Sequence, residues 1–455
     1  MAFGSTPCNW VEHCARAGGG RIVVVNREPI VFGIVLALAG YTSCFRSLIF
    51  WRLHPRFGEF PDQPAIELAC WVLAVLLVLW LLERERNLSS YLRNWRQQPW
   101  PMAFLLICAL SISWSSDPAV SFHRVLILIA STWVAAYIGM RCKVGELLIY
   151  LSWFGAAVVL AAIYMALLDP MLGIDRAYGP AVWRGIFWNK NHLGSLGALF
   201  SAILLLTLVN IRSRPGHRAK AWVALAYVGS LAVVYKAHSA AGYLLLLILH
   251  ATVILSLLWI AFAERMQRWH YIFAAIAAIA LIAVVLVNLN AILGVFNRDI
   301  TMTGRTKLWA YLLEEVVSKR ILFGHGFGSL WGDSHFRALA NEKLKFYPLI
   351  ADNGFMDILL GVGVVGLAAF MLVYFAAWRG SINCLVREKN VAGCLPLLVM
   401  SFSLFSNISF SLLVEIEVMI WGLIVAVLFM TAKRAEPFCS SDEETLNIRQ
   451  ASRNP

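Results

Sequence analysis

Charged side chains are what this chain has least of. Only 14% of its 455 residues are Asp, Glu, Lys or Arg, against 60% hydrophobic, a balance that excludes an ordinary water-soluble globular domain. Carboxylates are the scarcer sign, 26 against 38 Lys and Arg. The nine cysteines (Cys8, Cys14, Cys44, Cys70, Cys108, Cys142, Cys384, Cys394, Cys439) contain no Cys-x-x-Cys pair and lie in or near apolar runs or in the tails. They read as small apolar residues, not as disulfide partners or metal ligands. The ten histidines are scattered, with no His-x-x-x-His pair to put two ligands on one helix face, so neither a metal site nor a cofactor is expected. No repeat of fixed period is present, and no inverted repeat of the transporter kind. A cleavable signal is not expected, because about 29 residues precede the first apolar run and no small-residue cleavage pattern follows it.

What the chain has in quantity is apolar length. Runs long enough to cross about 30 Å of hydrocarbon recur along it, with 18 Trp and 26 Phe among them. Spans are expected at about 29–49, 65–82, 100–114, 120–140, 145–168, 192–211, 221–236, 241–263, 270–289, 353–378, 391–408 and 411–432. The fold class is therefore all-α, a polytopic membrane protein of about twelve transmembrane helices, the third of them short. Lys and Arg set its orientation. Arg16, Arg21 and Arg27 precede the first span; Arg84, Arg86, Arg93 and Arg96 follow the second; Arg141 and Lys143 follow the fourth; Arg212, Arg214, Arg218 and Lys220 follow the sixth. Arg265, Arg268, Arg379, Arg387, Lys389, Lys433 and Arg434 continue the alternation, which places both termini in the cytoplasm. These anchors account for most of the net charge of +12 and suit an anionic inner leaflet, with no call for nucleic acid as a partner. The chain then divides into a cytoplasmic segment 1–28, spans one to nine over 29–289, an external loop 290–352, spans ten to twelve over 353–432, and a tail 433–455. From Glu436 that tail is rich in Ser, Asp, Glu and Asn and is expected to be disordered.

The unusual sequence gathers on the other face. SSDPAVSFHR (115–124), DRAYGPAVWRGIFWNKNHLG (175–194), KAHSAAG (236–242) and the loop of about 289–352 all fall there. Arginines, lysines and aspartates would be costly in hydrocarbon, so they belong at the surface or in a shared wet cavity. Arg124, Arg184, Arg298 and Arg305, with Lys190, Lys236 and Lys307 nearby, outnumber the carboxylates. A guanidinium offers a permanently charged planar fork that matches phosphate oxygens, and several together could hold a diphosphate as a leaving group. The plainer reading is that each arginine snorkels to headgroups or closes a span; Arg184 and Arg305 stand apart because each sits in a turn-like, aromatic-flanked motif. GHGFG (324–328) lacks a preceding strand and Walker spacing, and reads as a flexible hinge. Gly361, Gly363 and Gly366 read as close helix packing.

Five segments in order, WSSDPAVSFHR (114–124), WRGIFWNKNHLG (183–194), TGRTKLW (303–309), ILFGHGFGSLW (321–331) and ADNGFMDILLGVGVVGL (351–367), resemble successive motifs of the O-antigen ligase and polymerase superfamily, most of all the ExoQ-type exopolysaccharide polymerases. The resemblance spans about residues 100–430. It implies a GT-C-like helical glycosyltransferase of the bacterial cytoplasmic membrane. The donor would be an undecaprenyl-diphosphate-linked oligosaccharide and the acceptor a second glycan, with inversion at the anomeric carbon and no metal. Membrane lipid, a flippase and chain-length or export proteins are the further partners it implies. By the same resemblance, Arg184 and Arg305 would engage the donor diphosphate, and Arg124 would assist from the first external motif. Asn191 and Asn353 match polar positions that could hydrogen-bond sugar or phosphate; Lys190 and Arg298, from the cationic cluster itself, are expected to bind substrate beside them. Many ligases carry a histidine where this chain has Asp352. A carboxylate could take the acceptor proton there if burial lifts its pKa. Asp352 could equally pair with Arg305, leaving His335 or Asp357 as the base, or cap the tenth span.

Two classes compete on the residues alone. A transporter or lipid flippase would carry charge at mid-span and broken helices in symmetric halves. The predicted spans are almost free of internal charge and the polar residues crowd one face, which favours the enzyme. Polymerase and O-antigen-type ligase differ only in acceptor, and no residue names the acceptor or the sugar.

Overall fold

A computed structural model describes residues 33–35, 64–211, 217–263, 305–346, 348–409, 411–412 and 418–432. The expected spans at 29–49 and 270–289 lie almost wholly outside these residues, as do the segment 1–28, Arg298 and the tail from Glu436. Of the remaining ten, nine fall on helix along most of their length and the described part of the last, 411–432, is helical from Val418.

The helices are α1 (Pro64–Arg84), α2 (Leu88–Gln97), α3 (Pro99–Leu110, extended by a 3-10 turn Ser111–Trp114), α4 (Pro118–Arg141), α5 (Val144–Leu168), α6 (Lys190–Asn210), α7 (His217–Ala237), α8 (Ala240–Phe262), α9 (Arg305–Tyr311), α10 (Ser334–Leu344), α11 (Gly354–Glu388), α12 (Leu395–Ser409) and α13 (Val418–Thr431). By length and composition α1, α4, α5, α6, α8, α11 and α12 with the turn before it can cross a membrane, and α3 and α13 are shorter apolar helices. Among the described residues there is no strand, only an isolated bridge between Ile174 and Trp183. The protein is a multi-pass helical membrane protein.

Packing divides the bundle in two. Helices α5, α7 and α8 surround α6, the most enclosed of the long helices; α1, α3 and α13 gather about α4, and α11 packs on α3 and α13; α12 joins the groups by touching both α8 and α11. The chain alternates direction, so α4, α6, α8 and α11 all begin at one end. Each opens on a side chain that satisfies otherwise orphaned amides: Asp117 accepts from Ala119 and Val120, Asn189 from His192, Ser239 from Gly242, and Asn353 from Phe355 and Met356. Their dipoles make this end electropositive. The described parts of the motifs singled out in the sequence lie here.

At the opposite end the structure adds an element that the sequence reading passed over as basic loop. In α2, LSSYLRNWRQ, apolar residues at helical spacing bury Tyr91 and Trp95 while Arg93 and Arg96 face outwards. Tyr91 donates to the Trp133 carbonyl at 2.8 Å, and its ring meets that of Trp133 at 4.7 Å.

The large loop is not a polar strap. Its described part folds over a small apolar core of its own, in which Leu308, Leu312, Val316, Leu330, Trp331 and Phe336 close on Ala351 and Leu360 at the start of α11.

Candidate active site

The site is organised by a break in α11. Gly363 has φ 66° and ψ −169° inside the helix, a region open essentially to glycine alone. A break inside a buried apolar helix strands backbone polar groups, which need partners. The GHGFG loop supplies them. His325 and Gly326 donate to the carbonyls of Leu360 and Gly361 at 2.9 Å each, while Val364 and Val365 donate to those of Ile321 and Leu322 at 2.9 and 3.2 Å. The two backbones lie so close that a Cβ on Gly363 would strike the Leu322 carbonyl, and one on Gly324 would strike that of Gly361. The expected flexible hinge is therefore a clamped segment; of the glycines expected to pack helices, Gly363 instead breaks one and admits a neighbouring chain, while Gly366 faces Ile107 of α3 as close packing requires.

The same loop is sewn to the first motif on its other side. Ser116 donates its amide to the His325 carbonyl at 2.9 Å. Ser121 donates to the Phe327 carbonyl at 2.8 Å, Phe327 donates to Ser111 at 3.0 Å, and the Trp114 indole donates to the Phe323 carbonyl at 3.1 Å. Arg320 donates to the Trp114 carbonyl at 3.0 Å. Arg124 lies directly over Gly328, where any Cβ would meet its Cδ.

Above the break, the ADN segment is held from two sides. Trp309 of α9 donates to the Ala351 carbonyl at 2.8 Å, and the Ala351 amide donates to Asp357 at 3.3 Å. Asp357 is buried and also accepts from the Trp331 indole at 2.8 Å and from the Ser411 hydroxyl. With three donors on a buried carboxylate, it braces the loop. Asn353 then caps α11, so the cap role weighed for Asp352 belongs to its neighbour. Asp352 adopts φ 53°, a left-handed conformation tolerated by Asp. Its Oδ2 accepts from Arg305 Nε at 3.0 Å; the two side chains are 30% and 18% exposed. Burial pushes the Asp352 carboxyl above its ordinary range, and the Arg305 guanidinium pulls the other way. Thus TGRTKLW and ADNG, far apart in sequence, meet at one ion pair.

A second cluster forms at the mouths of α6, α7 and α8. Arg184 is only 4% exposed and is tied to its own loop, its Nε donating to the Leu172 carbonyl at 2.7 Å and its amide to that of Gly173 at 2.9 Å. Burial lowers its pKa, opposed by Asp175. Asp175 accepts from the Lys190 amide at 3.2 Å. The Lys190 ammonium lies 4.1 Å from the centre of the Tyr178 ring and 3.4 Å from the His238 carbonyl. Asn191 accepts from Ser239 at 3.0 Å.

His335 is exposed on α10, where its amide is capped by Asp333. Sequence reasoning missed His325, whose place in GHGFG was the only signal. Its Nε2 lies 3.2 Å from the Val316 carbonyl and so carries the proton, leaving Nδ1 as acceptor. Burial lowers its pKa, the Val316 bond opposes this, and Arg320 and Lys319 add to the lowering. Among the described residues no three His, Cys, Asp or Glu side chains gather as metal ligands would.

Comparison with known proteins shows what this chain resembles. Residues 225–371 match the O-antigen ligase family model. That stretch takes in the later part of α7, all of α8, the clamped loop, the Arg305–Asp352 pair and the break in α11; the motifs at 114–124 and 183–194 lie outside it. More particularly, the chain is similar to the exopolysaccharide production protein ExoQ of Rhizobium meliloti (strain 1021), 29% identical over 329 residues, which is 69% of this chain and 72% of that protein. The resemblance carried by the motifs is borne out.

Proposed function

We propose that this protein is a membrane glycosyltransferase that joins undecaprenyl-diphosphate-linked oligosaccharide repeat units into exopolysaccharide at the outer face of the cytoplasmic membrane. The observation that carries the reading is the Arg305–Asp352 pair, built by two motifs of a ligase-family segment at the electropositive end of the bundle. In the reaction an acceptor hydroxyl oxygen attacks the anomeric carbon opposite the diphosphate. The bond from that carbon to the diphosphate oxygen breaks with its electron pair, and the hydroxyl proton passes to a base or to water. The developing charge on the lipid diphosphate is what an arginine fork stabilises, and it does so best in a site shielded from water. A GT-C-like architecture and inversion fit this reading and come from the family resemblance.

The matched family's description as an O-antigen ligase supports a second reading, transfer of the same donor glycan to a lipid or protein acceptor. Deleting the protein separates the two. Loss of long exopolysaccharide with accumulation of lipid-linked single repeat units supports the polymerase; intact polymer that is no longer attached to its acceptor supports the ligase. Unchanged polymer and unchanged attachment would refute both.

A further inference from the structure

The Arg305–Asp352 pair uses only one edge of the guanidinium. Asp352 Oδ2 takes Nε at 3.0 Å. Nη1 and Nη2 have no hydrogen-bond partner among the described residues, although the side chain is mostly enclosed at 18% exposure. The carboxylate itself is aimed by a rigid frame. Ala351 is gripped on its carbonyl by Trp309 and on its amide by Asp357, and Asn353 is committed to capping α11. Asp352 between them is fixed in a left-handed conformation that only a few side chains accept readily.

Building on the proposed function, we infer that Asp352 is a positioning residue, which holds Arg305 by its Nε edge so that the Nη1/Nη2 fork is preset for two oxygens of the donor's lipid diphosphate. A guanidinium that already has one donor satisfied and its rotamer fixed gives up less conformational freedom when an oxyanion arrives. On this view Asp352 acts on donor binding, whereas a base would act on the acceptor proton.

The test measures binding and turnover on full-length protein in lipid nanodiscs, with farnesyl diphosphate as the diphosphate probe and lipid-linked repeat units as substrate. Asp352→Asn accepts the left-handed backbone and keeps an oxygen for Nε without the charge. Asp352→Gly accepts the backbone and removes the oxygen. The positioning role predicts probe binding weakened by roughly 3–10-fold in the Asn variant and 10–100-fold in the Gly variant, the difference between a neutral, a charge-assisted and an absent hydrogen bond. It also predicts that the Asn variant's turnover at saturating donor keeps the wild-type pH profile. Wild-type probe affinity in the Asn variant, with turnover reduced on the order of 100-fold or more and the acidic limb of the pH profile gone, would make Asp352 a base and overturn the inference. Failure of the wild-type protein itself to bind the probe would refute the diphosphate reading beneath it. Because the Asn change is nearly isosteric, that variant decides the matter even if the Gly variant does not accumulate.

Discussion

Arg184 and Arg305 look alike in the sequence, each in a short motif flanked by Trp, yet the structure employs them differently. Arg184 is sealed in, its Nε turned onto the Leu172 carbonyl of its own loop. Arg305 stands at the start of a short helix, gripped on one edge by Asp352. A buried arginine bonded to a carbonyl of its own loop can hold that loop, whereas a mostly enclosed one whose fork has no partner among the described residues can receive a ligand. The contrast teaches that a motif arginine declares its role through what occupies its donors. It also divides the family resemblance: the Arg305 region lies inside the matched segment and the Arg184 loop outside it.

The largest effect is expected where the Arg305 region is held together. Gly363→Ala combines a backbone conformation closed to alanine with a collision against Leu322. It should remove on the order of 3 kcal/mol or more, and thermal unfolding in detergent should show a lowered midpoint or no folded protein. A wild-type midpoint would mean that the break is not fixed by that glycine.

Next comes the comparison itself. Arg184→Ala leaves the Leu172 carbonyl without its charge-assisted partner and opens space where a buried side chain stood, and should lower stability by about 1–3 kcal/mol, seen as a lower unfolding midpoint and less protein in the membrane. Arg305→Ala should leave the midpoint within about 1 kcal/mol, because its pair is partly exposed. Equal midpoints for the two variants would dissolve the distinction.

Asp357→Asn should have an intermediate effect. It keeps the shape but weakens a carboxylate that gathers three donors, so a loss of about 1–3 kcal/mol is expected, with Arg305-dependent activity falling as the ADN segment loosens.

The smallest expected effect is a pH dependence from His325. Burial and the nearby cations favour the neutral ring in the folded protein, so the protonated ring belongs to the unfolded chain. The stability it contributes is complete above the ordinary histidine value of about 6.5 and is lost as pH falls through it towards the lower folded value. In His325→Asn that acid-side loss should shrink, which unfolding midpoints between about pH 7 and 5 would show.

Much of the fold could be read from the chain because hydrocarbon tolerates few solutions: among the described residues, apolar runs of sufficient length became helices, and the polar motifs came together at one end. The site was legible as a set of motifs but not as contacts. That Arg305 would meet Asp352 was one of three alternatives, and the cap passed to Asn353 because one residue's difference in backbone geometry decides which side chain reaches the free amides. The break at Gly363 could not be read, since Gly-x-Gly in a span fits helix packing as well as a helix break; only the partner backbone at 321–326 tells them apart. Helix α2 was hidden by its arginines, which mark a membrane anchor whether the segment is loop or helix.

The most direct test of glycosyl transfer at the Arg305 site is to incubate purified protein with lipid-linked repeat units and follow polymer and released lipid diphosphate together. Wild-type protein should produce both, and Arg305→Ala, present in equal amount and folded to the same midpoint, should produce neither. Polymer formed by Arg305→Ala at the wild-type rate would contradict the account.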